Sequence, residues 1–429
     1  VNGGAIDYSC DYIYSVPSSI KTVNITDANK IGAGAFANCG YISRVSCNAE
    51  INIIENYLFY NCSSLKTFEI PSSVKTIEKF AFYNTNLTDV FLPVELKSIN
   101  DYAFRKCSYI SKLKISDNVE SIGSYAFAEC RNITEINIPD SVTELGRNAF
   151  AAGSTSYPME ATKLRIGSGL KTIPENAFSN CAYLTKVTVP NTVETIGALA
   201  FKDCNKLSEI TLPFVGKSRS ATGYESAFGY IFDYRTDGSS SSYHATGYSV
   251  GDIYKCSDSG NKYVTSVNGG AIDYSCAYIY SVPSSIKTVN ITDASKIGAG
   301  AFANCKDITK IVLNDGITSI DGYAFYSASG IKDFVIPNSI TSLGGYSFYE
   351  CKGLTEISIP NGITAIAKYT FYDCENIKEV IMSRNVTSVG DYAFYSCLGI
   401  TKLIIPYKVE NIGSYAFAEC RNITEINIP

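Results

Sequence analysis

A phenylalanine returns along this chain at a nearly constant interval, and no other feature restricts the fold as strongly. Phe36, Phe59, Phe82, Phe104, Phe127, Phe150, Phe178 and Phe201 are spaced 23, 23, 22, 23, 23, 28 and 23 apart. The series resumes at Phe302, Phe325, Phe348, Phe371, Phe394 and Phe417, always 23 apart. Each anchor has a fixed context. An aliphatic residue, such as Ile122, Leu145 or Ile196, stands five places before it in all fourteen units. Ala directly precedes the anchor in eleven, Gly stands four before it in eight, and Cys three after it in eleven. Thr85, Gly153 and Ala328 replace that Cys.

The unit reads well at residues 119–139, VESIGSYAFAECRNITEINIP. Its ITEINIP run alternates apolar and polar residues, the signature of a strand with one face buried. Pro139 closes that strand, where a missing N–H does least harm. VESIG predicts a second short extended piece with Val119 and Ile122 turned inward. The Gly suits a tight turn. SYAFAEC reads as one or two helical or 3-10 turns. One unit cannot bury its own apolar side, whereas stacked copies can. The repeat therefore predicts a solenoid whose strands lie about 4.8 Å apart.

The pattern C-x-x-L-T-x-I-x-I-P-x-x-V-T-x-I-G-x-x-A-F covers about 39–212 and 286–429. It resembles the BspA-like, treponemal class of leucine-rich repeat, found in bacterial and some protist surface proteins. The resemblance implies an α/β solenoid: a right-handed superhelix with short strands on the long sheet face and short helical or 3-10 turns. It also implies a cell-surface or secreted location and adhesion to host matrix proteins or cells.

Four segments follow. Residues 1–38 form an irregular entry with a first strand, 39–212 the first array, 213–285 an insert rich in Tyr, Gly and Ser, and 286–429 the second array. Residues 1–39 recur at 267–305 with two changes, Asp11 to Ala277 and Asn29 to Ser295, an offset of 266. Residues 119–139 recur at 409–429 with one change, at an offset of 290. Single units have thus been copied out of step with the larger block. Both chain ends fall inside a repeating pattern, so the sequence reads as a window on a longer protein. The insert reads as a disordered linker or as an irregular ordered coil. The apolar mass of Phe228, Tyr230, Ile231, Phe232 and Tyr234 favours order, with a mobile tip near 236–244. IYSVP and IKTVNI within and after it read as strands. The segment 153–161, GSTSYPMEA, predicts a loop bulging from one coil.

Several functions are disfavoured. Net charge is -5, without a basic block, which speaks against a nucleic-acid partner. No uninterrupted apolar stretch reaches the roughly 18 residues of a membrane span. His244 is the only histidine, no C-x-x-C pair occurs, and carboxylates follow the repeat rather than converging. Neither a metal site nor a catalytic triad is legible, and no cofactor or enzyme activity is expected.

The ladder Cys39, Cys62, Cys107, Cys130, Cys181, Cys204, Cys305, Cys351, Cys374, Cys397 and Cys420 shares one unit position. It reads as small buried thiols rather than as redox or metal chemistry. Cys10, Cys47, Cys256 and Cys276 lie off the ladder, and a disulfide between Cys256 and Cys276 could staple the insert.

The outward strand positions, eight and ten after each anchor, are the better candidates. They are taken as the concave face. Lys112, Lys114, Lys163, Arg165 and Lys186 form a basic patch, interrupted by Glu135. It suits an acidic protein segment or anionic glycan, or else is a solvated face. In the second array Val312, Val335, Ile381 and Ile404 form an apolar column. It reads as a binding stripe or as simple β-propensity. Tyr102, Tyr125, Tyr323, Tyr346, Tyr369, Tyr392 and Tyr415 share the position two before the anchor. They suit contact with a partner, or an outer packing ladder with hydroxyls in water. Asn-x-Ser/Thr triplets such as Asn132-Ile133-Thr134 fall inside units, where a glycan would disturb stacking.

Two functions remain open: an adhesin binding protein or glycan along the solenoid, and a structural stalk with no ligand of its own.

Overall fold

A computed structural model describes residues 17–235, 266–268, 271–273, 279–280 and 282–428. The expected mobile tip, His244 and the Cys256–Cys276 bridge lie outside the described residues. The chain divides into two compact units, residues 1–206 and 207–429. Each is a parallel-strand solenoid.

In the first unit every coil after the first described one contributes two strands. One strand, of two to four residues, holds the alternating run, as in Lys112–Lys114 and Glu135–Asn137. The other, of two residues, holds the second extended piece, as in Ser121–Ile122. Five of the latter, from Ile53–Ile54 to Glu144–Leu145, pair in parallel as one sheet. The register sets like on like: Thr76 opposite Ser98 opposite Ser121, and Ile77 opposite Ile99 opposite Ile122. Val119 and Ile122 are buried as their spacing predicts.

The anchors stack. Phe82, Phe104, Phe127 and Phe150 are wholly buried, and their ring centroids follow at 4.9, 5.2 and 5.2 Å with planes within 10°. Stacking at this distance adds roughly 0.5–1.5 kcal/mol per pair beyond the area each ring buries. Repetition of one residue at one position is what makes it available in every coil.

The segment around the anchor is not helical. It is a run of turns, and the only helical stretches among the described residues are two 3-10 turns, Gly223–Ser226 and Phe228–Ile231. The reason lies in where the N–H groups go. Tyr102, Phe104 and Lys106 donate to Ser124, Ala126 and Ala128 of the next coil at 2.9, 2.8 and 2.9 Å. The residues between, Ala103, Arg105 and Cys107, donate three residues back within the coil. An α-helix sends every N–H along its own axis, so it has none left to spend on a neighbouring coil. Alternating partners require left-handed backbone at intervals. It occurs two before the anchor in every unit, as at Tyr125 (φ 58°) and Asn148 (φ 56°), and two after it in nearly all, as at Asn84 (φ 56°) and Glu129 (φ 63°). Left-handed backbone disfavours tyrosine by about 1–2 kcal/mol, and the inter-coil bonds hold it there.

The glycine four before the anchor also has a different cause from the expected turn. Gly146 has ordinary φ, but a Cβ there would lie 2.1 Å from the Ser124 nitrogen of the preceding coil. At Gly146 coil-to-coil approach, rather than backbone rotation, excludes a side chain, whereas Gly32 at the same position has open space.

The 153–161 insertion bulges as a loop, but it also returns a side chain. Met159 is fully buried against Cys181, with sulfurs 4.0 Å apart.

In the second unit the strand Glu209–Leu212 pairs in parallel with Thr288–Ile291, residue for residue, and the latter with Lys310–Val312. The strand before the insert thus meets the strand after it. The start of the insert is itself a coil. Phe228 is buried, donates its N–H to Ala301 at 2.8 Å and places its ring 5.2 Å from Phe302. It is an anchor in all but spacing. Tyr234–Arg235 pairs antiparallel with Ile279–Tyr280, and Ser266–Asn268 with Ala271–Asp273.

Candidate functional site

The outward strand face of the first unit carries all five basic candidates. Lys112 and Lys114 lie on one strand, Lys163 and Arg165 on another, and Lys186 on a third; all five are exposed. Parallel register decides what each meets. Lys163 is opposite Glu135 and forms an ion pair with it at 2.5 Å. Arg165 is opposite Asn137, and bonds to Asp140 at 2.8 Å and to the Ile138 carbonyl at 3.0 Å. The Ser168 N–H, and then Arg165, hold the Asp140 carboxyl below the usual carboxylate range. Part of the expected patch is therefore locked to neighbouring carboxylates.

Lys112 and Lys114 differ. Among the described residues neither has an ion-pair partner. Lys114 lies opposite Phe91, which is 60% exposed, and Val94 is 61% exposed nearby in sequence. Lys112 lies opposite Asp89 without an ion pair, so an exposed aromatic stands beside the uncommitted Lys114 with a second such lysine on the same strand, the chemical composition of an interface anchor. Phe91 was legible in the outward strand position but not in the charge pattern, so sequence reasoning passed over it.

In the second unit Val312, Val335, Ile381 and Ile404 are 42, 79, 45 and 58% exposed. Their column is interrupted by Ser358, opposite Ile381. Lys402 and Glu425, opposite each other in register, form an ion pair at 3.2 Å, and Lys402 lowers the Glu425 carboxyl below its usual range. Val335 lies outside any strand, in the one coil here whose outward run leaves the ladder.

The tyrosines form two columns, of which the sequence reading found one. Tyr323, Tyr346, Tyr369, Tyr392 and Tyr415 stack at 4.7, 4.6, 4.8 and 5.0 Å. One after each anchor, Tyr326, Tyr349, Tyr372 and Tyr395 stack at 4.7, 4.6 and 4.9 Å. Mutual stacking occupies the ring faces, so edges and hydroxyls are what the surface offers. Desolvation, then the neighbouring Glu350 carboxylate, pushes the Tyr326 and Tyr349 hydroxyls up, which keeps them protonated.

The ladder cysteines are buried free thiols. Nine of the eleven bond the anchor carbonyl one coil back, among them Cys107 to Phe82 at 2.9 Å, Cys130 to Phe104 at 3.1 Å and Cys351 to Phe325 at 3.0 Å, whereas Cys39 bonds the Ala37 carbonyl of its own coil. Burial pushes the Cys62, Cys181 and Cys305 thiols up to about 12, so thiolate is scarce at neutral pH. Among the described residues no three His, Cys, Asp or Glu groups are placed to hold a metal, and no helix is long and apolar enough to cross a membrane.

Comparison with known proteins places this geometry. The chain is similar in structure to a leucine-rich repeat protein from Bacteroides ovatus, with 21% identity and a TM-score of 0.42, over 97% of this chain and 82% of that one. It is similar to a leucine rich cell surface protein from Faecalibacterium prausnitzii at 22% identity and a TM-score of 0.33, over 95 and 87% of the two chains. It is also similar to a leucine-rich repeat protein of T. pallidum at 18% identity and a TM-score of 0.27, over 59 and 72%. No curated protein matches. The family model for the BspA type leucine rich repeat region matches residues 29–157, 153–229, 276–398 and 343–429. By that coverage, the chain belongs to the BspA-type leucine-rich repeat family.

Proposed function

We propose that the chain is a cell-surface or secreted adhesin that captures protein or glycan on its outward strand faces, the first unit taking an acidic partner and the second an apolar one. The observation that carries this reading is the contrast on one face. Lys163 and Arg165 are engaged by Glu135 and Asp140, while Lys112 and Lys114 form no ion pair and Lys114 stands opposite exposed Phe91. A face kept only for solubility would gain nothing from an exposed phenylalanine among its charges. Val312, Val335, Ile381 and Ile404 are the corresponding candidates of the second unit.

The test is capture on matrix-protein and glycan arrays by the whole chain and by a Lys112→Glu/Lys114→Glu variant. The adhesin reading expects a retained partner that the variant loses. Uniform silence, or retention indifferent to charge reversal and to Phe91→Ala, is what a stalk without a ligand would give.

A further inference from the structure

A groove of about 440 Å³ runs across four coils of the second unit. Its floor is Ala299, Gly322 and Gly345, the residues three before successive anchors; Tyr323 and Tyr346 form a wall, and Asp321 and Lys368 mark its polar groups. That volume falls in the range of small-molecule sites.

Other coils show what is missing here. Three before the anchor, Asp101 accepts a hydrogen bond from the Ser124 N–H of the next coil at 2.8 Å. Asp391 accepts one from the Ser414 N–H at 2.7 Å. In those two coils the main-chain N–H three before the anchor points at a carboxylate from the preceding coil. In the groove the preceding residues are Ala299, Gly322 and Gly345, which have no side-chain acceptor. Among the described residues nothing accepts from the N–H of Gly322, Gly345 or Lys368. The Lys368 ammonium has no ion-pair partner either, and its Cγ lies 3.6 Å from where a Gly345 Cβ would stand. Turn backbone with unmet N–H groups beside a cation is an anion-binding arrangement.

We propose that this groove binds the carboxylate of an acidic sugar. The carboxylate takes the Gly345 N–H, as Asp101 takes that of Ser124, and pairs with the Lys368 ammonium. Asp321, whose carboxylate accepts from the Ser319 hydroxyl at 3.3 Å, lies one coil earlier. It repels a second carboxylate but accepts hydroxyl groups, which selects a ligand that is anionic at one end and polyhydroxylic at the other. Tyr323 and Tyr346 present ring edges beside it, a surface that suits a sugar ring more than a planar stacked base. This site is separate from the strand faces and does not depend on their function.

The test is calorimetric titration of the whole chain with glucuronic acid, glucose, acetate and a short neutral peptide with a free C-terminus. Glucuronic acid should bind, and glucose should not. Acetate and the peptide should bind at least about tenfold more weakly. Lys368→Ala, a change at an exposed side chain, should weaken glucuronic acid binding at least about tenfold, the usual worth of a charge-assisted hydrogen bond. Gly322→Asp should abolish it by supplying the carboxylate from within the chain, with circular dichroism confirming that the coils persist. Absence of glucuronic acid binding overturns the proposal. So does binding that survives Lys368→Ala, or binding of acetate or the peptide as tight as that of the sugar.

Discussion

Two glycines at one repeat position should respond unequally to the same substitution. Gly146 and Gly298 both stand four before an anchor, and neither has a positive φ. An added Cβ at Gly146 would lie 2.1 Å from the Ser124 nitrogen, and ordinary contact begins near 3.4 Å. Backbone on both sides of that gap leaves no flexible side chain to swing aside, so the coil itself would have to move by roughly 1 Å to restore van der Waals separation. The Gly146 N–H donates to the Ile122 carbonyl at 2.7 Å, and the same shift stretches that bond past the limit of a hydrogen bond. Overpacking contributes about 1–3 kcal/mol and a lost backbone bond about 0.5–1.5, so Gly146→Ala should destabilise by about 2–4 kcal/mol. At Gly298 the nearest atom is the Ser226 Cβ at 3.2 Å, a side-chain atom that needs to yield only a few tenths of an ångström. There the reduced entropy of the unfolded chain, about 0.4–1 kcal/mol, offsets the crowding, and the net change should be below about 1 kcal/mol. Urea unfolding followed by circular dichroism measures both. Equal losses at the two positions would refute the close-approach argument and restore the turn explanation.

Further outcomes follow from the same structure. Phe228→Ala should destabilise by about 3–5 kcal/mol in the same assay, as for a regular anchor such as Phe127→Ala, because both rings are fully buried; a change below about 1 kcal/mol would remove Phe228 from the ladder. Leu199, with φ 60° at a position where Asn148 and Asn176 also stand, should accept Asn with a gain of up to about 1 kcal/mol, and a clear loss of melting temperature would contradict the left-handed assignment. Thiols held protonated up to about 12 stabilise the fold while the unfolded thiols are protonated too, and that contribution is lost as pH rises above their ordinary value of 9.0. Stability should therefore fall between pH 9.0 and about 12, by at most about 1.4 kcal/mol per pH unit for each such thiol, and a flat urea midpoint over that window would contradict it. Native protein should leave its ladder cysteines unlabelled by a thiol reagent at neutral pH, whereas urea should expose them.

The anchors, both strand types and the inward residues were legible because each follows from periodicity alone. The turns were not. Ala, Glu and Cys around Phe127 carry no objection to a helix, and only the inter-coil direction of the N–H groups forbids it. A signal was nonetheless present two after the anchor, where Asn38, Asn61, Asn84, Asn180, Asp203 and Asn304 tolerate left-handed backbone. Two before it, tyrosines hid the same requirement. Phe228 escaped notice because its separations from Phe201 and from Phe302 both depart from the repeat spacing. The candidate face was legible as a set of positions but not as free or engaged charges. Glu135 was visible among the lysines, yet only the structure shows that it pairs with Lys163. The groove was invisible for a related reason. Ala299, Gly322 and Gly345 look like ordinary variation until Asp101 and Asp391 reveal what that position does in two other coils.

The distinction between free and engaged cations bears most directly on the proposed binding function. It is measured by titrating the array-retained partner against immobilised wild-type chain, the Lys112→Glu/Lys114→Glu variant and a Lys163→Ala/Arg165→Ala variant. The account predicts that the first variant loses binding while the second stays within about threefold of wild type, since its side chains are already bound by Glu135 and Asp140. Loss of the partner on removing Lys163 and Arg165, with Lys112 and Lys114 dispensable, would contradict it.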